Sequence, residues 1–219
     1  MIKALIFDFD GLIMDTESPA VDGWKVIYAE YGQEFPLQVW IRAVVGVSDA
    51  EFDAAAYLAA VTGQALDLEA LRNRALAYRL QVQSTLPALP GVNDYIKTAH
   101  RLGLRLAMAS SSARARLEGY LRQLCLSDDF AVIVCREDVQ HIKPYPDLFL
   151  KARDLLQLRT DELLVFEDSQ NGILAASRAG MYVVAVPNPI TAHDTHEGAS
   201  LLLASLADLP LEDLLKQFS

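Results

Sequence analysis

The stretch MIKALIFDFDGLIMDTE, residues 1–17, gives the strongest indication of the fold of this 219-residue chain. Residues 2–9 are a short run rich in Ile, Leu and Phe that ends at Asp-Gly, a pattern typical of a strand buried on both faces. Asp8 and Asp10 stand at positions i and i+2 of this strand end, so their side chains point the same way. Gly11 then lets the backbone turn sharply. The stretch therefore predicts a buried first strand that brings two carboxylates to one edge of a sheet.

Four further apolar runs have the length and composition of buried strands. They lie at residues 104–109, 131–134, 163–166 and 182–186. Helical patterns alternate with them, at residues 92–102, 114–124, 147–156 and 173–179. Short apolar strands that alternate with helices predict an α/β fold, a Rossmann-like parallel sheet with helices on both faces.

The segment 17–85 breaks this alternation, because it contains helical patterns and no convincing strand. The helical patterns lie at residues 21–31, 37–44, 49–61 and 68–83. The sequence LPALPG at 86–91 has two prolines and a glycine, which is typical of a hinge. We therefore predict an α/β core made of residues 1–14 and 87–219, with an all-α helical cap inserted at 15–86.

The overall charge limits the classes of partner. The chain has 29 acidic and 19 basic side chains, which gives a net charge of −10. Nucleic acids and anionic membrane surfaces are also negatively charged, so we expect this chain to bind neither. Small anionic substrates remain compatible with this charge, since a metal ion and a few cations can dominate the field inside one cleft. We expect a monomer that binds a small phosphorylated metabolite.

The remaining composition indicates a reducing compartment. Cys125 and Cys135 form no disulfide framework and no cysteine-rich zinc site, and we interpret them as free thiols. Acidic residues interrupt the apolar N-terminus after a few positions, so it predicts neither a signal peptide nor a membrane span. His193 and His196 could suggest a zinc site, but we interpret them as solvated loop residues. These features favour a cytoplasmic protein.

A second pair of acids follows another predicted strand. Glu167 and Asp168 come directly after the run 163–166. In an open parallel sheet, ligands bind beyond the carboxyl ends of the strands, where these acids would meet Asp8 and Asp10. Any one of the four could simply cap a helix. As a set they would repel one another strongly unless a hard divalent cation bound them, and Mg²⁺ is the usual choice where phosphate is handled.

Two other loops at strand ends could bind phosphate. Ser110, Ser111 and Ser112 precede a predicted helix, whose free N–H groups and a nearby hydroxyl would form an anion site, although a plain serine cap is the alternative. Lys143 precedes two prolines that stiffen the backbone, so it could hold a fixed position and pair with phosphate. The alternative for Lys143 is an ordinary solvated lysine in a surface loop.

Together these four pieces resemble the haloacid dehalogenase superfamily of phosphohydrolases. The motifs, in order, are DFDGLIMDTE, ASSS, KPYPDLF and FEDSQNG. The resemblance covers essentially the whole chain, and it is closest to the branch of β-phosphoglucomutases and sugar-phosphate phosphatases that have a helical cap after strand one. It implies the strand order 3-2-1-4-5 and a Mg²⁺-dependent phosphatase of small phosphomonoesters.

The resemblance also assigns roles. It makes Asp8 the nucleophile that forms an aspartyl-phosphate, Asp10 the general acid and base, and Lys143 the cation that neutralises charge. It implies a Mg²⁺ site formed by Asp8, the backbone carbonyl of Asp10, Glu167 and Asp168. The substrate-binding residues it suggests are Ser110, Ser111, Gly11 and Glu17.

Alternatives to a phosphatase remain open. The presence of Asp10 argues against dehalogenation, because the dehalogenases of the superfamily lack an acid there. A β-phosphoglucomutase-like phosphomutase is the second possibility, and a non-enzymatic phosphate or metal binder is the third. The mutase pattern has a His shortly after the first motif and an Arg in the cap loop, where this chain has no His and has Asp49; Arg42 could substitute. The candidate specificity residues are Glu17, Trp24, Arg42, Val47 and Ser48.

Overall fold

A parallel sheet lies at the centre of the fold. The computed structural model describes residues 1–44, 52–192 and 194–218, without the side chains of residues 42–44. Six strands pair in the order β3-β2-β1-β4-β5-β6 within these residues, and every pair is parallel. The strands are β1 Ala4–Phe7, β2 Arg105–Ala109, β3 Val132–Val134, β4 Leu163–Glu167, β5 Tyr182–Ala185 and β6 Leu201–Leu202. The predicted order 3-2-1-4-5 is confirmed, and β6 adds a short sixth strand.

Alternate residues of β1 pack on opposite faces of the sheet. Leu5 and Phe7 belong to one apolar cluster and Ala4 and Ile6 to another, and all four are fully buried. Burial of a side chain as large as Leu, Ile or Phe contributes roughly 1.5–3 kcal/mol. Helices therefore cover both faces, as the continuous apolar strand predicts.

Four of the five helices described in the sheet region lie close to their predicted positions, and the last one was not predicted. They are α5 Val92–Arg101, α6 Arg114–Gln123, α7 Asp147–Leu156, α8 Gln170–Arg178 and α9 Leu211–Leu215. Helices α5, α6 and α9 supply buried residues to the cluster that contains Phe7, and α7 and α8 supply the cluster that contains Ile6. Helix α8 begins three residues before its predicted start, because the Ser169 hydroxyl caps it by accepting from the Gly172 N–H.

Four helices lie between β1 and α5, with no strand among the described residues of that segment. They are α1 Ser18–Glu30, α2 Leu37–Val44, α3 Ala54–Thr62 and α4 Leu68–Gln83. Their apolar residues form a third cluster that includes Trp24, Tyr28 and Leu58. The predicted start of α3 at residue 49 is wrong, because Asp53 caps the helix through its side chain and α3 begins at Ala54. The limits of this segment as a separate cap domain stay a prediction.

No helix in the part of the chain that the structure describes combines the length and the apolar character needed to span a bilayer.

Candidate active site

Three carboxylates meet at the carboxyl edge of β1 and β4. Phe7 and Phe166 are register partners, so Asp8, which follows β1, lies beside Glu167 at the end of β4. Asp168 follows directly. One carboxylate oxygen from each acid lies within 4.8 Å of the other two, and all three side chains are buried. Strands β2 and β3 extend the sheet on one side of β1, and strands β4 to β6 extend it on the other side. Ligand sites of parallel sheets usually lie at the carboxyl edge where the strand order changes direction in this way.

Lys143 is the buried cation of this cluster. Its ammonium group donates to Asp8 Oδ1 and to Glu167 Oε1, and the residue is 3% exposed. Burial alone lowers the pKa of Lys143, but the attraction of Asp8 and Glu167 outweighs it, so the pKa is raised and the side chain stays charged. The alternative of a solvated surface lysine is therefore wrong.

Hydrogen bonds fix the orientation of Glu167. Its Oε2 accepts from the backbone N–H of Asp168 at 3.0 Å and from the backbone N–H of Ser169 at 3.2 Å. The Ser169 hydroxyl also donates to Oε2, while Oε1 faces Lys143. Glu167 is thus held by the turn that leads into α8.

The excess negative charge at this edge fits a divalent cation. Burial raises the pKa of Asp8 well above its usual range; Lys143 lowers it, while Glu167 and Asp10 raise it further. Burial, followed by the charges of Glu167 and Asp8, raises the pKa of Asp168 in the same way. Three buried carboxylates that face one ammonium are under-neutralised, and their hard oxygen atoms are the ligands that Mg²⁺ prefers. The donor set therefore fits the predicted metal.

Asp10 lies outside this cluster and has its own partners. Its Oδ1 accepts from the Thr16 hydroxyl at 2.7 Å and from Arg116 Nη2 at 2.8 Å, and its Oδ2 accepts from the Ser112 hydroxyl. Burial raises the pKa of Asp10, but Arg116 and the hydroxyls of Ser112 and Thr16 together outweigh it, so the net pKa is lowered. Gly11 adopts φ +83°, which allows the tight turn in which its N–H donates to the Met14 carbonyl.

The three serines after β2 are not helix caps. Helix α6 begins at Arg114 and its N-cap is Ala113, so the alternative of a serine cap is wrong. Ser110 is fully buried and its Oγ accepts from the Ser112 N–H at 3.1 Å. The Ser111 hydroxyl is buried and has no hydrogen-bond partner among the described residues. Its free hydroxyl is compatible with the predicted phosphate contact.

Glu17 lies close to Asp10 and to two arginines. Burial raises the pKa of Glu17 to about 7; the charge of Asp10 raises it further, while Arg79 and Arg116 oppose the change. The Arg79 Nε is buried and lacks a hydrogen-bond partner in the described part of the chain. The charges of Glu17, Arg79 and Arg116 thus border the carboxyl group of Asp10.

Several residues of this site were missed by sequence reasoning. They are Thr16, Arg116 and Asn188. No helical spacing marks Arg116, because its partner Ser112 precedes the first residue of α6. The sequence indicates that Arg72, Arg74 and Arg79 form a solvated helix face of which one member could face the cleft, and Arg79 is the one that lies near Glu17 and Asp10.

Some predicted residues lie elsewhere or cannot be placed. Trp24 is 7% exposed and packs within the apolar cluster of α1–α4, not in the carboxylate site. Val47, Ser48, Asp49 and His193 lie outside the described residues, as does the side chain of Arg42.

Comparisons with known proteins identify the family of this chain. A family model described as Haloacid dehalogenase-like hydrolase matches residues 5–186. YhcW of Bacillus subtilis is 43% identical over 98% of this chain and 97% of its own length. Fructose-1-phosphate phosphatase YqaB of Escherichia coli is 34% identical over 83% of this chain and 95% of its own. The crystal structure of CbbY from Rhodobacter sphaeroides in complex with phosphate has a TM-score of 0.72 at 25% identity and covers 95% of this chain and 96% of that chain.

Proposed function

This chain belongs to the haloacid dehalogenase-like hydrolase family and is a phosphoric monoester hydrolase, and we propose that it hydrolyses small sugar-phosphate-like metabolites with Mg²⁺, through an aspartyl-phosphate on Asp8. The observation that carries this proposal is the buried group Asp8, Glu167 and Asp168 with Lys143 between two of its members. A structural role alone gives no reason to bury three carboxylates around one ammonium at a ligand-binding edge.

Asp8 is the nucleophile in this mechanism. A carboxylate oxygen of Asp8 attacks phosphorus, the bond from phosphorus to the leaving oxygen breaks, and Asp10 supplies the proton that this oxygen takes up. In the second step Asp10 accepts a proton from water, the water oxygen attacks the same phosphorus, and the Asp8–phosphorus bond breaks. The products are the alcohol and inorganic phosphate, and both carboxylates return to their starting state.

Asp8, Asp168 and the backbone carbonyl of Asp10 would hold Mg²⁺, with Glu167 beside them. Bound there, the ion would offset the repulsion between an anionic nucleophile and an anionic substrate and would stabilise charge in the transition state. Lys143 contributes a second positive charge through its contact with Asp8. The hydroxyls of Ser110 and Ser111 supply donors for the phosphoryl oxygens. The backbone N–H groups of Gly11 and Ser110 already donate to the carbonyls of Met14 and Val134.

The leaving group would lie on the Asp10 side of the site. Asp10 must reach the leaving oxygen, and Glu17, Arg79 and Arg116 surround Asp10 with polar groups suited to a hydroxylated molecule. The relative YqaB is a fructose-1-phosphate phosphatase, which supports a sugar phosphate as the substrate class.

Phosphate release from a panel of phosphorylated metabolites tests the proposal. We expect hydrolysis of small sugar phosphates with Mg²⁺, loss of activity in excess EDTA, and inhibition by Ca²⁺, whose longer and more numerous ligand bonds would disturb the in-line approach of Asp8. Full activity in excess EDTA would contradict the metal assignment.

A coupled assay separates the phosphatase from the mutase. Residues 18–22 contain no His, and a mutase must protect its aspartyl-phosphate from water while it transfers the phosphoryl group. We expect net phosphate release with little conversion of β-glucose 1-phosphate to glucose 6-phosphate, measured with glucose 6-phosphate dehydrogenase. Rapid NADPH formation that depends on a trace of sugar bisphosphate would favour the mutase.

A further inference from the structure

Asn188 lies in the loop after β5, and its side chain contacts two parts of the carboxylate site. The residue is 6% exposed. Its Nδ2 donates to Asp168 Oδ2 at 2.7 Å and to the Gly11 carbonyl at 3.3 Å. One carboxamide therefore connects the last acid of the cluster to the turn that follows Asp10.

The loop itself fixes the direction of this carboxamide. Asn188 Oδ1 accepts from the backbone N–H groups of Ile190 at 2.8 Å and Thr191 at 3.1 Å. Both groups are donors, so the oxygen must face them and the amino group must face Asp168. The Asn188 N–H in turn donates to the Thr191 hydroxyl at 3.0 Å, and Thr191 is fully buried.

The packing around the contact leaves little freedom. A Cβ added at Gly11 would overlap both Asn188 Nδ2 and Asp168 Oδ2. The loop that carries Asn188 is also held by Ile190, whose buried side chain packs in the apolar cluster of α1–α4. Loop, turn and acid thus hold one another in a single arrangement.

We propose that Asn188 is a positioning residue for the metal site: its amide fixes the rotation of the Asp168 carboxylate and so directs the second oxygen toward Asp8 and Glu167. A donor on one oxygen of a ligating carboxylate sets where the other oxygen points, and loss of such a partner typically weakens metal binding. The inference rests on the proposed Mg²⁺ site and concerns metal affinity, not the chemical step.

Mg²⁺ titration by calorimetry, without substrate, tests the inference. Asn188→Leu keeps the size of the side chain but removes the donor, and we expect the Mg²⁺ Kd to rise by about 10–100-fold. Asn188→Ala is measured alongside, and it carries the test if the leucine variant does not fold. At saturating Mg²⁺ we expect kcat to recover most of its wild-type value, because Asn188 touches no reacting atom.

Two controls separate positioning from loop stability. Thr195→Val removes a hydrogen bond that the same loop makes, from the Thr195 hydroxyl to Gln170 Oε1 at 3.0 Å, without touching Asn188 or Asp168, and we expect an unchanged Mg²⁺ Kd whatever its effect on Tm. In an Asp168→Asn background, Asn188→Leu should have no further effect on Mg²⁺ affinity, because its action passes through that carboxylate.

The possible results are distinct. A wild-type Mg²⁺ Kd in Asn188→Leu or Asn188→Ala would overturn this inference and leave the proposed phosphatase intact. A Kd that rises equally in Thr195→Val would also overturn it. Absence of Mg²⁺ binding by the wild-type protein would remove both the inference and the metal assignment of the proposed function.

Discussion

Arg116 donates from Nη2 to Oδ1 of Asp10 at 2.8 Å, so the residue we propose as the general acid is paired with a cation from α6. The same guanidinium donates from Nη1 to the Ser112 hydroxyl at 2.8 Å, and this hydroxyl donates to the other oxygen of Asp10. A carboxylate held in this way favours the ionised form. The pairing prepares Asp10 to act as a base in the second step, and it opposes proton donation in the first.

This pairing predicts a change in the pH profile of Arg116→Met. Burial raises the pKa of Asp10, and the charge of Arg116 is the largest effect that lowers it. Removal of this cation should therefore raise the pKa of Asp10. The first step needs protonated Asp10, so kcat/KM falls as pH rises through its pKa, and the falling limb should move to higher pH in the variant. Arg116→Lys, which keeps the charge, is the control. Superimposable profiles for the wild type and Arg116→Met would contradict the assignment.

Glu17→Gln should stabilise the protein only at higher pH. The pKa of Glu17 is raised from 4.5 to about 7. Between these two pH values the Glu17 carboxyl group is protonated in the folded state and ionised in the unfolded chain. Ionisation therefore costs stability as pH rises through this window, and the cost is complete above pH of about 7. The variant should match the wild-type Tm at pH near 4 and exceed it at pH near 8. Glu34→Gln, at an exposed position, should show no such trend in thermal unfolding.

Gly172→Ala should damage the carboxylate cluster from the α8 side. A Cβ at this position would overlap the carboxyl group of Glu167. This carboxyl group has no room to move, because Lys143 binds one of its oxygens and the backbone N–H groups of the turn after Glu167 bind the other. Overpacking of this kind costs typically about 1–3 kcal/mol, and activity should fall with the displaced acid. The matched control is Gly119→Ala in α6, where a Cβ meets nothing within 4 Å and helix propensity predicts a gain of up to about 1 kcal/mol. Equal unfolding free energies for the two variants in urea would contradict the steric argument.

Lys143→Met should destabilise the protein far more than Lys3→Met. Loss of one partner from a buried ion pair leaves uncompensated charge and costs about 3–5 kcal/mol. Lys3 pairs with Glu162 at 2.6 Å, but its side chain is 59% exposed, and such surface pairs contribute about 0–1 kcal/mol. Urea unfolding of both variants makes the comparison. A similar cost for both would show that the lysine ammonium is not the main neutralising charge of the cluster.

The parts of the site that the sequence predicts are those set by local pattern. Asp8, Glu167 and Asp168 follow apolar runs, and parallel pairing brings the ends of such runs together whatever the details of packing. Strand β6 was missed because two leucines are too few to form a pattern.

Contacts made by side chains distant in sequence were beyond this reasoning. Arg116 meets Asp10 across 106 positions and Asn188 meets Asp168 across 20. Neither residue belongs to a motif, and an arginine on a helix or an asparagine beside prolines is more often an ordinary surface or turn residue. Only the packed arrangement of loops and helices brings them to the carboxylates.

Turnover of Asp8→Asn decides whether Asp8 is the nucleophile. The substitution preserves size and removes the charge that attacks phosphorus, while the protein should fold at least as well, because one like charge leaves a crowded site. With Mg²⁺ and a sugar phosphate that the wild-type protein hydrolyses, we expect kcat to fall by roughly 10³-fold or more. Near-wild-type turnover by a folded Asp8→Asn variant would contradict this assignment.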